Sequence, residues 1–82
     1  RYLQLEHNAQ FTGARHLPVL WEALRSDRAV TFTYAPYTNA EARRRTVEPG
    51  LLFEFRNRWY LDGHDLDADG MRTFGLDRMA DV

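Results

Sequence analysis

Residues 43–65 read RRRTVEPGLLFEFRNRWYLDGHD, and this stretch decides the architecture. Alternation with a period of two marks an extended strand, whereas a helical face repeats every 3.6 residues. Residues 43–55 read as one strand, interrupted at Pro49-Gly50. Proline offers no N–H to a ladder and glycine weakens a strand interior, so a sharp bend or bulge is predicted there. Arg56-Asn57 is predicted to make a tight hairpin turn, with residues 58–65 as the returning strand. In that strand Trp59 and Leu61 share one face, and Arg58, Tyr60 and Asp62 share the other.

Working outward, residues 29–35 form another strand, with Val30, Phe32 and Tyr34 pointing one way and Thr31 and Thr33 the other. Pro36 to Ala42 is a polar loop rich in breakers. Before residue 27 the period is helical. Leu17, Leu20, Trp21 and Leu24 form one stripe of an amphipathic helix over about residues 14–26, whose regular part starts near His16 or Leu17 because Pro18 is tolerated only in a first turn. HNAQFTG, ending at Gly13, is loop-like, and RYLQLE at residues 1–6 alternates as a short strand or docking arm would. Downstream, a turn at Asp67–Gly70 leads to a strand, MRTFGL, that turns Phe74 and Leu76 to the core. A short turn at Asp77-Arg78 precedes a last strand ending at Val82. One helix followed by about five short antiparallel strands, a mainly β chain, fits a small barrel better than an open sheet, since closure removes exposed edges. The expected organisation is an arm or linker over residues 1–13 and a barrel domain over 14–82.

The chain has 82 residues, 44% hydrophobic and 28% charged, the profile of one globular domain. Eleven arginines stand against 12 acidic residues, a net charge of −1, which excludes an overall polycation but allows a local basic patch. Every one of these basic residues is arginine, so lysine Schiff-base and Walker-lysine chemistry are excluded. The absence of cysteine excludes a disulfide framework, a thiolate zinc site and a cysteine nucleophile. No apolar run approaches membrane-spanning length and no signal peptide is visible, so the expected location is the cytoplasm. A chain that begins at arginine is expected to be a piece of a longer protein.

Asp65-Leu66-Asp67-Ala68-Asp69-Gly70 matches the opening of a calcium loop, but Leu76 stands where that loop needs its bidentate glutamate. The reading preferred here is an acidic hairpin turn closed by Asp-Gly. His7, His16 and His64 have no metal-ligand spacing, so no metal or cofactor is expected. His64 with Asp62 or Asp65 is an acid–base pair only on paper, and Ser26 is placed to end the helix. No catalytic motif is present, and an enzyme is not expected. Arginine and aromatic residues are more informative. Residues 43–58 hold Arg43, Arg44, Arg45, Arg56 and Arg58 against Glu48 and Glu54, a local balance of +3, whereas residues 62–69 hold four aspartates and no base. Arginine beside aromatic residues is what an anion or single-stranded nucleic acid site requires.

Arg58-Trp59-Tyr60-Leu61 followed by Arg72-Thr73-Phe74-Gly75-Leu76-Asp77-Arg78-Met79 resembles the WYL-domain family. Val30–Tyr34, Arg45-Thr46-Val47-Glu48-Pro49 and Leu51–Asn57 agree with the same pattern, as do Gly13 and the Leu17–Leu24 helix. The resemblance implies an Sm-like or SH3-like five-stranded barrel with an N-terminal helix. It also implies a sensor domain of a bacterial transcription regulator, attached to a winged helix-turn-helix domain and commonly dimeric. Such a sensor binds an anionic nucleotide or single-stranded nucleic acid and alters DNA binding by its neighbour. Carried over position by position, the pocket candidates are Tyr34, Arg45, Tyr60, His64, Arg72 and Arg78, with the arginines taking phosphates and the others stacking or hydrogen bonding. Tyr34 and Arg72 lie two residues from Phe32 and Phe74 on the same strand faces, which places them at a barrel rim, while Trp59 and Leu61 belong to the core. The structural alternatives are that Tyr60 covers the barrel and that Arg78 pairs with Asp77 or caps a turn.

Three positions depart from the family's pattern. His64 replaces a common tyrosine, Ala68 a frequent basic residue and Gly75 a frequent arginine. Fewer positive charges weaken a long nucleic acid contact and favour a smaller ligand or a partner surface. The alternative function is a dimerisation or domain-docking module that senses nothing.

Overall fold

At Asp27 the sequence period changes from 3.6 to 2, and there the helix gives way to the sheet. The computed structural model describes residues 13–38 and 40–82, so the arm expected at residues 1–6 lies outside the described residues. A one-turn 3-10 helix, Ala14–His16, runs into helix α1, Leu17–Arg25, with Pro18 in its first turn where no intrahelical N–H is needed. Ser26 ends α1 as expected: its Oγ donates to the Glu22 carbonyl at 2.6 Å. Asp27, at φ 58°, completes a Schellman closure in which the Arg28 amide donates to Ala23 O at 2.9 Å. The buried stripe of α1 centres on Leu20, with Ala23 beside it. Trp21, expected on that stripe, is 57% exposed. At about 100° per residue, Trp21 lies well round the helix from Leu20, and the narrow face that packs on the sheet does not reach it.

Five strands follow: β1 (Val30–Tyr34), β2 (Arg43–Phe55), β3 (Arg58–Asp65), β4 (Gly70–Gly75) and β5 (Met79–Ala80), with a 3-10 turn at Leu76–Arg78 before β5. All neighbours are antiparallel, in the order β4-β3-β2-β1-β5. The β2–β3 hairpin turns at Arg56 and Asn57, both with positive φ (52° and 67°), as a two-residue turn of the favoured twist requires. The expected bulge is at Gly50: Pro49 pairs with Gly63 and Leu51 with Asp62. This extra residue reverses the alternation, so that Val47 before it and Leu52 after it both turn inward. The last strand is shorter than expected and stops at Ala80.

In a flat sheet of this order, β1 and β4 would stand three strand spacings apart, about 14 Å. Instead their inner side chains touch. The Phe74 ring lies 5.2 Å from Phe32 and 4.9 Å from Tyr34, centroid to centroid, both edge to face. The sheet is therefore rolled around a core that includes Leu20, Val47, Leu61 and Leu76. Leu61 is fully buried, and Trp59 is half-buried against the same cluster. His16 ties the helix to β5, with its Nε2 3.1 Å from the Met79 carbonyl, and burial holds its pKa below the ordinary imidazole value.

The bulge brings β2 so close to β3 that only glycine fits opposite it. A Cβ on Gly63 would lie 2.5 Å from Val47 Cγ1 and 2.7 Å from the Glu48 carbonyl oxygen. Gly63→Ala should therefore cost about 1–3 kcal/mol in urea unfolding, the usual penalty of an overpacked interior. Gly70→Ala, with no heavy atom within 4 Å of the added carbon, serves as the neutral control.

Candidate anion site and a second arginine cluster

Alternation along β3 continues past the apolar core. Trp59 and Leu61 face inward, and by the same parity so do Gly63 and Asp65, which closes the inner face at its far end. Asp65 is fully buried. Its Oδ1 accepts the amides of Asp67 (3.0 Å) and Ala68 (3.1 Å), which makes it the organiser of the acidic turn. Its Oδ2 accepts Arg45 Nη1 at 2.8 Å and lies 3.8 Å from Arg72 Nε. Burial pushes the Asp65 carboxyl up, but the two amides and the Arg45 guanidinium outweigh that and hold it below the ordinary carboxylate value.

Arg45 is mostly covered, and its Nε is buried without a hydrogen-bond partner, whereas Arg72 on the edge strand β4 is 52% exposed. One carboxylate is thus shared by two guanidinium groups, with the carboxylates of Asp67 and Asp69 in the adjoining turn. Arg43, on the same face of β2 as Arg45 and paired with Tyr34, is exposed beside them. Chemically, Arg72 presents guanidinium donors to solvent, with Arg45 held behind it on Asp65.

The other four candidates are not brought into that site. Tyr34 is buried in the core instead of standing at a rim, and its hydroxyl accepts the Gly75 amide at 2.9 Å. Burial raises its phenol pKa. Arg78 is occupied within the fold: its Nε donates to Ala35 O at 2.6 Å and its Nη2 to Pro36 O at 3.1 Å. Tyr60 and His64 lie on the outer face of β3, opposite the Arg45–Arg72 face. Tyr60 stacks on Phe53, with centroids 5.3 Å apart. The partners of His64 are Asp69, at 3.1 Å, and Glu48, at 3.9 Å, and neither Asp62 nor Asp65 pairs with it.

A second cluster was not foreseen. Tyr37 lies with the Arg58 and Arg78 guanidinium carbons 5.4 and 5.0 Å from its ring centroid. Its hydroxyl donates to Asp77 Oδ1 at 2.5 Å and accepts from Arg58 Nη1 at 3.2 Å. Burial, then the hydrogen bond and charge of Asp77, push the Tyr37 phenol up to about 12. Any Cβ at position 75 would lie 2.6 Å from this hydroxyl, so glycine at this position is what admits Tyr37. The signal for Asp65 was present in the parity of β3. Tyr37 sits in a loop, where no periodicity points to its neighbours.

Among the described residues, no helix is long and apolar enough to cross a membrane. A family model described as the WYL domain matches residues 15–82. Protein PafB of Mycobacterium leprae (strain TN) is 40% identical over 63 residues, covering 77% of this chain and 19% of that protein. Protein PafB of Mycobacterium tuberculosis (strain H37Rv) is 38% identical over 63 residues, with the same shares. The solved structure of proteasome accessory factor B/C (PafBC) of Arthrobacter aurescens superposes with a TM-score of 0.73 at 27% identity, covering 82% of this chain and 10% of that one. The chain thus spans about a fifth of the length of these curated relatives.

Proposed function

The chain belongs to the WYL-domain family, and on that footing we propose that it is the ligand-sensing regulatory domain of a bacterial transcription regulator. In this reading it binds a nucleotide or single-stranded nucleic acid through a phosphate and acts on an attached winged helix-turn-helix domain. The observation that supports it is the convergence of Arg45 and Arg72 on the single carboxylate of Asp65. One carboxylate cannot neutralise two guanidinium groups, and the half-exposed Arg72 keeps donors free for an incoming oxyanion. Arg45 and Arg72 carry the phosphate. Arg78 and Tyr34 support the fold around it, and Tyr60 and His64 are left to the outer face.

Fluorescence anisotropy of a labelled single-stranded oligonucleotide, at low and high salt, tests this reading. Binding is expected to weaken as salt rises, because each phosphate contact releases counterions. Arg72→Ala should weaken binding by about tenfold or more, the scale of one charge-assisted contact, while leaving the fold intact because the side chain is half-exposed. Arg78→Ala should instead lower stability through loss of its two carbonyl contacts. Binding that survives Arg72→Ala unchanged would remove the site from this assignment.

A further inference from the structure

Where the C-terminal half of α1 meets the start of β1, the surface holds a cleft of about 290 Å³ that neither Arg45 nor Arg72 lines. Val19, Ala23, Ala29, Val30 and Val82 form its apolar wall. Val30 and Val82 pack on the core beneath it, and Val19 is 48% exposed. A cleft at the lower end of the size range of ligand sites takes a small molecule. Walls of valine and alanine, with no aromatic ring among them, suit an aliphatic one.

Two donors stand at its rim. β5 pairs with β1 at Thr33 and Tyr34, and Asp81, at φ 52°, turns the chain away after that. The Ala35 amide donates to Arg78 O on the β5 side, so by alternation the Thr31 N–H points to the same side, beyond the end of β5. Among the described residues that N–H has no backbone partner. Arg28 is the second donor: it lines the cleft, is exposed, and makes no ion pair among the described residues. The acceptors, by contrast, are already spent. The Glu22 carboxylate is held by Arg25 Nη2 at 3.0 and 2.7 Å. The last α1 carbonyls, those of Glu22, Ala23 and Leu24, take the amides of Ser26, Arg28 and Asp27. Donors and one positive charge are left beside an apolar wall.

We propose that this cleft binds a small aliphatic monocarboxylate, its tail against Val19, Ala23, Val30 and Val82 and its carboxylate between the Arg28 guanidinium and the Thr31 amide. A carboxylate accepts from both kinds of donor, and the charge-assisted bond to arginine is the stronger. A nucleic acid would find here a single unpaired cation and no ring on which to stack a base. The proposal does not depend on the anion-site reading, which stands or falls on Arg72.

Titration of the isotope-labelled 82-residue chain with hexanoate at pH 7, followed by amide NMR shifts, tests it. For a ligand of about eight non-hydrogen atoms, a Kd of about 1 mM is the expected scale. Saturable shifts should centre on Arg28, Ala29 and Thr31. Hexanol, of the same length but uncharged, should bind about tenfold more weakly, the scale of one charge-assisted hydrogen bond, and Arg28→Gln should weaken hexanoate by as much. Acetate, which lacks the tail, should bind about tenfold more weakly or worse. Arg28 is exposed, so Arg28→Gln keeps the fold, and Arg72→Ala should leave hexanoate binding unchanged. Hexanoate that binds no better than hexanol or acetate, binding indifferent to Arg28→Gln, or no saturable shift at Thr31 up to about 20 mM would overturn the proposal. So would binding lost in Arg72→Ala, since the acid would then sit at the Arg45–Arg72 site.

Discussion

Phe74→Ala is expected to leave much of the domain unfolded at room temperature. Phe74 is 2% exposed and its ring meets both Phe32 and Tyr34 across the rolled sheet. Truncating a buried phenylalanine removes about 3–5 kcal/mol, the transfer free energy of the ring plus the cavity it leaves. A chain of 82 residues has a total stability of only about 4–12 kcal/mol. The loss should be large for a second reason: these contacts are what hold β4 against β1, strands with no hydrogen-bonded ladder between them. Phe74→Leu, which keeps most of the volume, should cost far less. Urea unfolding followed by the fluorescence of Trp59, half-buried against the core, measures both. A Phe74→Ala variant as stable as wild type would show that this side chain does not close the sheet.

Asp65→Ala is expected to destabilise by about 3 kcal/mol, because it strands the covered Arg45 without a counter-charge. The lower end of the range for buried pairs is appropriate, since Asp65 lies close beneath the surface under its own turn. The same change also releases the Asp67 and Ala68 amides. Asp65→Asn keeps an acceptor for those amides and removes only the charge, so it should cost less and should tighten anion binding at Arg72. The pH dependence has a definite sign. The folded Asp65 pKa lies below the ordinary value of 3.8, so its contribution is present above that pH and disappears as pH falls through the lowered pKa. The stability difference between wild type and Asp65→Asn should therefore shrink as the pH is taken below about 4. A difference that stays constant between pH 7 and pH 3 would exclude the ion pair as its origin.

The two clusters differ in how they are encoded. Arg45 and Asp65 lie on neighbouring strands, and their shared face follows from alternation and from the pairing Val47↔Asp65. Tyr37, Arg58 and Asp77 come from a loop, a hairpin end and a 3-10 turn. Their meeting depends on the sheet rolling up and on Gly75 leaving room for a phenol.

What the chain determined locally is its helix, its strands, the Arg56-Asn57 turn and the bulge at Gly50. Each rests on periodicity or on the backbone limits of proline, glycine and asparagine, which act over a few residues. Alternation also assigned Phe32, Leu61 and Phe74 to the core. Only the tertiary structure decided which polar groups remained available to a ligand. It buried Tyr34 against Phe74, committed Arg78 to the carbonyls of Ala35 and Pro36, and separated Tyr60 and His64 from Arg45 and Arg72 by the thickness of β3. It also turned Trp21 outward, since the width of a helix's buried stripe is set by the surface it meets. The reason is common to all of these. Alternation places a side chain on a face, but whether its polar atoms are spent inside the fold depends on partners brought close by the rolling of the whole sheet.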